Sequence, residues 1–173
     1  LSNSEFSGST MTQADLTSIK CSDAIMRAVT LNGSYCDTAS FIRADLKTSD
    51  FTACNLRGAS FLKADLRMAK LNKTLLQHAN LEQADLSFAE LKEAVIWSHA
   101  FHHTILRETD LSGSYMLAVQ LSTSLIAKTN FSNAILQYAM LNGASLNGSI
   151  FNGADLRWAQ LCGADLSGID LSQ

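Results

Sequence analysis

Proline is absent from the sequence, charged residues make up only 17% of it, and aromatic residues only 8%. The formal net charge of −3 over 173 residues argues against a general affinity for nucleic acid or for an anionic membrane. No apolar run approaches the roughly 18–20 residues of a membrane-spanning helix. We therefore expect no nucleic-acid partner and no direct insertion of this segment into a membrane.

Cysteine pairs with a recognisable spacing are also missing. The four cysteines, Cys21, Cys36, Cys54 and Cys162, show no CxxC spacing and no matching histidine pairs, which argues against a disulfide or zinc framework. We expect isolated, buried thiols, which favour a reducing compartment such as the cytoplasm. The periplasm, the thylakoid lumen and a place as one domain of a membrane protein stay open.

Catalytic motifs are missing too. The sequence contains no glycine-rich phosphate loop, no nucleophile motif and no pair of carboxylates in an apolar setting. The stretch around His99, His102 and His103, with His78 nearby, suggests a metal site at first sight. His102 and His103 are adjacent outward residues that diverge, so we expect surface histidines. We predict no enzyme activity, no cofactor and no metal.

The sequence does contain a repeat of five residues. Every residue whose number leaves a remainder of 1 on division by 5 is apolar: 21 Leu, 7 Phe, 3 Met, 2 Ile and 2 Cys at 35 positions. With these central positions called i, 31 of the 34 residues at i−2 are Ala, Ser, Thr, Val or Cys. Asp or Asn occurs 12 times at i−1, and all nine glycines lie at i+2. The register never slips, so no linker interrupts the repeat.

Each positional preference has a physical cause. Residues i−2 and i point to the same side of an extended backbone, so one small and one large side chain alternate in the interior. Glycine confined to i+2 indicates a positive φ, as a type II turn demands. Each pentapeptide is therefore a short extended piece followed by a turn, and the chain winds around an axis. Proline is excluded because stacked coils need their backbone N–H donors.

The repeats, such as Ala44-Asp45-Leu46 and Ala154-Asp155-Leu156, follow the pattern A(D/N)LXX along the whole chain. This pattern resembles the pentapeptide repeat proteins. The resemblance implies an all-β fold, a right-handed quadrilateral parallel β-helix with four pentapeptides per coil. We expect one domain over residues 1–173, with about nine coils stacked roughly 4.8 Å apart. Open coil ends expose unpaired backbone, which predicts self-association through the ends or additional flanking sequence.

If a coil holds four pentapeptides, residues 20 apart form columns, and one face carries a charge ladder. We predict that it consists of Arg27, Arg43, Asp45, Lys47, Lys63, Asp65, Arg67, Asp85 and Arg107. One interpretation is a solvated face with weak ion pairs, each worth ~0–1 kcal/mol. The other is a basic docking patch for an acidic partner.

The opposite face is predicted to carry an aromatic strip that faces solvent. It consists of Tyr35, Leu75, Val95, Trp97, Tyr115, Leu117, Ile135, Tyr138 and Trp158. Such apolar patches mark protein interfaces, with Trp and Tyr as anchors. The alternative is that these side chains only pack on one another along the coils. Trp158 occupies a turn position that glycine takes in neighbouring repeats, so the fold does not require it.

The leading functional hypothesis is a non-catalytic scaffold, a rigid rod that binds a protein partner or a second copy. The resemblance implies a bacterial source, with cyanobacteria one possibility. The alternative is a DNA mimic that binds DNA gyrase, as quinolone-resistance members of the family do. A DNA mimic needs a continuous acidic surface, whereas residues 41–73 contain 7 basic and 3 acidic side chains.

Overall fold

The computed structural model describes residues 1–97 and 101–169. Within these ranges there is no helix, and each strand is a single bridging residue at position i−1. Every bridge is parallel and joins a residue to the one 20 positions later, from Glu5 with Ile25 to Ser145 with Asp165. A coil therefore contains four pentapeptides, which confirms the four-sided β-helix that the resemblance implies.

Four columns of bridging residues define four faces, numbered here in chain order. Face 1 carries Glu5, Ile25, Asp45, Asp65, Asp85, Ile105, Leu125, Ser145 and Asp165. Face 2 carries Thr10, Thr30, Asp50, Lys70, Glu90, Asp110, Asn130 and Ile150. Face 3 carries Asp15, Tyr35, Asn55, Leu75, Val95, Tyr115, Ile135 and Asp155, and face 4 includes Lys20, Ser40, Ser60 and Asn80. Faces 1 and 3 lie on opposite sides because one face separates them in either direction.

The interior is filled by the central residues, all of which are buried from Cys21 to Phe151. Phenylalanine rings form ladders there. Phe41 and Phe61, one coil apart, stack with centroids 5.1 Å apart, and Phe51 meets both rings edge-on at 5.7 and 5.9 Å. Alanine at i−2 leaves room for these side chains. The invariably apolar central position is thus explained by a solid core.

The backbone amides of a pentapeptide are bonded almost completely. In the repeat around Leu66, four amide groups donate to backbone carbonyls: Asp65 to Ala44, Leu66 to Asp85, Met68 to Ser87 and Ala69 to Leu66. The fifth amide, that of Arg67 at i+1, donates to the Asp65 carboxylate at 3.3 Å. This bond explains the Asp and Asn residues at i−1. Their side chains accept a hydrogen bond from the i+1 amide, which is the one amide of the pentapeptide without a backbone acceptor. Proline is excluded at the other four positions.

The turn position i+2 adopts a left-handed backbone at every described position except Thr123. All nine glycines have positive φ, which confirms the turn prediction, and 23 other residues at i+2 share that conformation. Left-handed backbone costs a residue with a Cβ roughly 1–2 kcal/mol relative to glycine. Large side chains at i+2 are therefore placed there against the preference of the backbone.

The expectation for the cysteines is confirmed at three of the four positions. Cys21, Cys36 and Cys54 are buried, and burial raises the pKa of Cys36 to about 12 and that of Cys54 to about 11. Cys162 is exposed, so its prediction as a buried thiol was wrong. It lies at i+1, where side chains turn outward, whereas the other three occupy i or i−2.

Candidate interaction surfaces

Six members of the predicted charge ladder form a continuous chain of ion pairs on face 1. Arg27 contacts Asp45 at 2.6 Å, and the Lys47 ammonium lies 3.2 Å from both Asp45 and Asp65. Arg67 then contacts Asp65 at 2.7 Å and Asp85 at 3.8 Å. Lys47 and Arg67 thus each lie between two bridging carboxylates, one of their own coil and one of the next, whereas Arg27 contacts only that of the next coil.

The ion pairs set the ionisation of these carboxylates. Partial burial alone would raise the pKa of Asp45, but hydrogen bonds from Arg27 and Lys47 bring the net pKa below its ordinary value. Asp65 behaves in the same way, with Arg67 and Lys47 as donors. The Asp45 and Asp65 carboxylates are therefore held in their charged form at neutral pH. Three cations balance three aspartates along the chain of pairs, which leaves little net charge for an acidic partner.

The other three members of the charge ladder behave differently. Arg43 instead forms a bidentate ion pair with Asp23, with hydrogen bonds of 2.6 and 2.7 Å. Lys63 and Arg107 take part in none of the ion pairs found among the described residues. For Arg107 the reason is plain, because the bridging residues on either side of it are Ile105 and Leu125 rather than aspartates.

The members of the predicted aromatic strip all lie on face 3 or its turns. Leu75, Val95, Tyr115 and Ile135 follow one another through parallel bridges. Leu75, Val95 and Ile135 are half-buried, so the expectation that they are largely solvent-facing was wrong. Each is covered by the bridging residues of the coils before and after it. Exposed members are Tyr35, Trp97, Tyr115, Leu117, Tyr138 and Trp158.

One part of the strip is a stacked pair of exposed rings. Tyr138 and Trp158, one coil apart at i+2, lie nearly parallel with centroids 5.0 Å apart and an interplanar angle of 10°. Their exposed fractions are 50% and 62%. The Arg157 guanidinium lies 5.6 Å from the Trp158 ring and hydrogen-bonds to Asp155, which holds the pKa of that carboxyl well below its usual range. Arg157 is thereby fixed beside the indole.

Face 1 carries an apolar patch that no repeat pattern singles out. Met68 and Phe88 occupy i+2 in adjacent coils, with φ of 60° and 62° and exposed fractions of 60% and 51%. They line a surface depression of about 340 Å³ together with Lys47, Thr48 and Arg67. The reasoning that marks Trp158, a bulky residue in a turn position suited to glycine, would have found both residues.

The histidines form no metal site in the part of the chain that the structure describes. The rings of His102 and His103 are 6.5 Å apart, and no group of three or more His, Cys, Asp or Glu side chains is arranged to hold a metal ion there. His99 lies outside the described residues. Among those residues, no helix is long and apolar enough to cross a membrane.

Comparison with known proteins supports the repeat architecture. A family model described as "Pentapeptide repeat region" matches residues 4–81, and one described as "Pentapeptide repeats (8 copies)" matches residues 118–153 and 141–173. Together the two models match well over half of the chain. No curated protein matches it significantly.

Several solved structures are similar. A trypsin-treated variant of QnrB1, a plasmid-mediated fluoroquinolone resistance protein, is 15% identical with a TM-score of 0.61, over 99% of this chain and 89% of that one. A second such variant is 10% identical with a TM-score of 0.53, over 97% and 92%. HetL, a protein of heterocyst differentiation regulation from the cyanobacterium Nostoc sp. strain PCC 7120, is 26% identical with a TM-score of 0.39, over 95% and 88%.

The QnrB1 structures agree with the four-sided coil described above, and at their level of identity they show the fold alone. The family models match the chain both before and after residues 98–100, which lie between the two described ranges. The chain belongs to the pentapeptide repeat family, whose members form right-handed quadrilateral β-helices.

Proposed function

We propose that this protein is a non-catalytic scaffold that binds a protein partner through the aromatic strip of face 3. The observation that carries the proposal is the stacked pair of Tyr138 and Trp158, two large rings that are at least half exposed. Tyrosine and tryptophan are enriched among the residues that dominate binding energy at protein interfaces. A pair of them in a fixed orientation is suited to anchor a partner.

Stability alone does not account for these two side chains. Both residues have a left-handed backbone, with φ of 59° for Tyr138 and 60° for Trp158. Their stacking contributes about 0.5–1.5 kcal/mol, which is no more than the roughly 1–2 kcal/mol that each residue loses at a position suited to glycine. The fold would therefore be served as well by glycine at both positions.

The scaffold is suited to present such a surface rigidly. Three of the five amides of a pentapeptide bond to a neighbouring coil, as in the repeat around Leu66, so the faces cannot shift independently. We propose one continuous rod of about nine coils over residues 1–173, by the strand spacing already given. A pre-organised surface loses little conformational entropy on binding, which favours affinity.

Affinity capture with matched variants tests the proposal. Immobilised wild-type protein is compared with the double variant Tyr138→Gly, Trp158→Gly and with His78→Gly, which changes an exposed i+2 residue in the same column. We expect a protein retained by wild type and His78→Gly and lost from the double variant. A second copy of the chain as the retained protein would identify self-association. If the double variant retained the same protein as wild type, the proposal would be overturned.

DNA mimicry is the alternative, and the fold similarity to QnrB1 motivates it. The ion-pair chain on face 1 argues against it, because three cations alternate there with three aspartates, whereas a DNA imitation needs uninterrupted negative charge. A gyrase supercoiling assay decides between the two: inhibition or protection at micromolar protein would support mimicry, and no effect would exclude it.

A further inference from the structure

We infer a second interaction surface on face 1, opposite the aromatic strip, that takes a short peptide segment with one large apolar side chain and one carboxylate. Its apolar part is the depression lined by Met68 and Phe88. Its charged part is Arg107. We call this combination the face 1 groove. It is independent of the aromatic strip, which lies on the other side of the coil.

The apolar part is not explained by the fold. Met68 and Phe88 expose 60% and 51% of their surface and have positive φ. Neither residue contributes to the core, which lies on the other side of the backbone. The depression of about 340 Å³ between these side chains and the stems of Lys47 and Arg67 has room for one large apolar side chain. Leu125, 49% exposed, extends the apolar surface along face 1.

The positive charge of Arg107 is the feature that would select an acidic peptide. It is left without a partner because the residue types in the bridging column of face 1 change along the rod. Along face 1 the bridging residues change from aspartate at Asp45, Asp65 and Asp85 to Ile105 and Leu125. Lys47 and Arg67 each have a carboxylate of their own coil and one of the next. Arg107 has Ile105 and Leu125 at these two places, and it makes none of the ion pairs found among the described residues.

The surroundings of the groove leave this positive charge in excess. Phe88 donates its backbone amide to the Arg107 carbonyl at 2.9 Å, so the two residues belong to adjacent coils at the same corner. Glu108, which follows Phe88 in the turn column, is paired with Lys128 at 3.8 Å. Arg107 is thus the one unpaired ionic group among these residues, and a peptide carboxylate complements it.

Selection from a phage-displayed library of random short peptides tests the inference. The library is panned on wild-type protein, and enriched peptides are then titrated against wild type, Phe88→Gly, Arg107→Gln and Ala28→Gly. Phe88→Gly removes the groove wall at a position whose φ suits glycine, so we expect no fall in melting temperature. Ala28→Gly makes the same backbone change in the same turn column away from the groove.

We expect enriched peptides that combine a large apolar residue with Asp or Glu. Their affinity should fall about tenfold or more with Arg107→Gln, because a hydrogen bond to a charged group is lost, and at least as much with Phe88→Gly. Ala28→Gly should bind like wild type. Failure to enrich any peptide would overturn the inference. Enriched peptides without an acidic residue would also overturn it, as would peptides that bind Phe88→Gly or Arg107→Gln with the wild-type affinity. Variants of Tyr138 and Trp158 should not change peptide binding, which separates this test from that of the aromatic strip.

Discussion

The indole of Trp158 lies parallel to the phenol ring of Tyr138, with centroids 5.0 Å apart, and both residues have a left-handed backbone. The two rings are aligned because their positions are separated by one full coil. This relationship connects the repeat to the proposed function. The coil fixes where the rings stand, while the turn position would accept glycine more readily than either ring.

The balance between strain and stacking can be measured directly. Trp158→Gly should change the free energy of unfolding by less than about 1 kcal/mol, because the strain relief of roughly 1–2 kcal/mol offsets the lost stacking and the greater freedom of glycine. Gly143→Ala is the reverse control, since its φ is +69° and a Cβ there would meet no atom within 4 Å. It should lose about 1 kcal/mol from the backbone alone. Denaturant titration of both variants checks the balance, and a loss above about 3 kcal/mol for Trp158→Gly would show that the indole is a structural element.

The substitution Leu86→Asp tests whether the central residues form the core. Leu86 is completely buried, so a carboxylate there would be desolvated without a partner and should cost at least about 3–5 kcal/mol. We expect several neighbouring coils to lose order together. The control is Gln83→Asp, an exposed i+2 residue in the same coil. Thermal unfolding followed by circular dichroism distinguishes them, and equal melting temperatures would contradict the assignment of the core.

The hydrogen-bond pattern predicts where the chain tolerates proline. Arg107 is exposed at i+1, and its amide takes part in no hydrogen bond among the described residues, so Arg107→Pro should change stability by less than about 1 kcal/mol. Glu108→Pro removes the amide that bonds to Ala127 at 2.8 Å and cannot adopt the φ of 54° found there. It should cost about 3 kcal/mol or more. The difference between the two melting temperatures is the measurement, and equal losses would mean that the bonding pattern has been misassigned.

The carboxylates at i−1 make stability depend on acid. Partial burial opposes ionisation of Asp65, but hydrogen bonds from Arg67 and Lys47 hold its folded pKa below the unfolded value of about 3.9. Its stabilisation is therefore complete above pH ~4 and is lost as the pH falls through the lower, folded pKa. We expect a flat melting temperature between pH ~5 and 7 and a decline below pH ~4.

Two substitutions separate the roles of Asp65. Asp65→Asn keeps an oxygen for the Arg67 amide and removes only the ion pairs, so it should cost up to about 1 kcal/mol and reduce the acid dependence. Asp65→Ala also removes the acceptor and should cost roughly 1 kcal/mol more. Melting temperatures of both variants at neutral and acid pH test this order. If Asn and Ala were equivalent, the hydrogen bond to the i+1 amide would contribute nothing.

The period of five predicts most of the fold because the inward positions follow from it alone. The resemblance supplied the four sides, and the bridges between residues 20 apart confirm them. The role of Asp and Asn at i−1 was not predictable from spacing, since it depends on which amide the coil leaves unbonded. Glycine at i+2 indicated the left-handed turn, but the presence of 23 other residues in that conformation emerged only from the backbone.

The candidate surfaces were predicted less completely. Columns of residues 20 apart predicted an aromatic strip on one face and a charge ladder on the other, and their bridging residues lie on faces 3 and 1. The partial burial of Leu75, Val95 and Ile135 was missed because neighbouring bridging residues cover one another. Arg107 was placed in the charge ladder without the observation that its neighbours in the bridging column are Ile105 and Leu125. Charge type alone could not show which cations lack a partner.

The most direct test of the proposed function is calorimetric titration of the captured partner into wild type, Trp158→Gly and His78→Gly. An interface anchor contributes at least about 2 kcal/mol, so Trp158→Gly should raise Kd about 30-fold or more. His78→Gly should leave Kd unchanged, and both variants should melt close to wild type. A Trp158→Gly protein that binds the partner with the wild-type Kd would contradict the account.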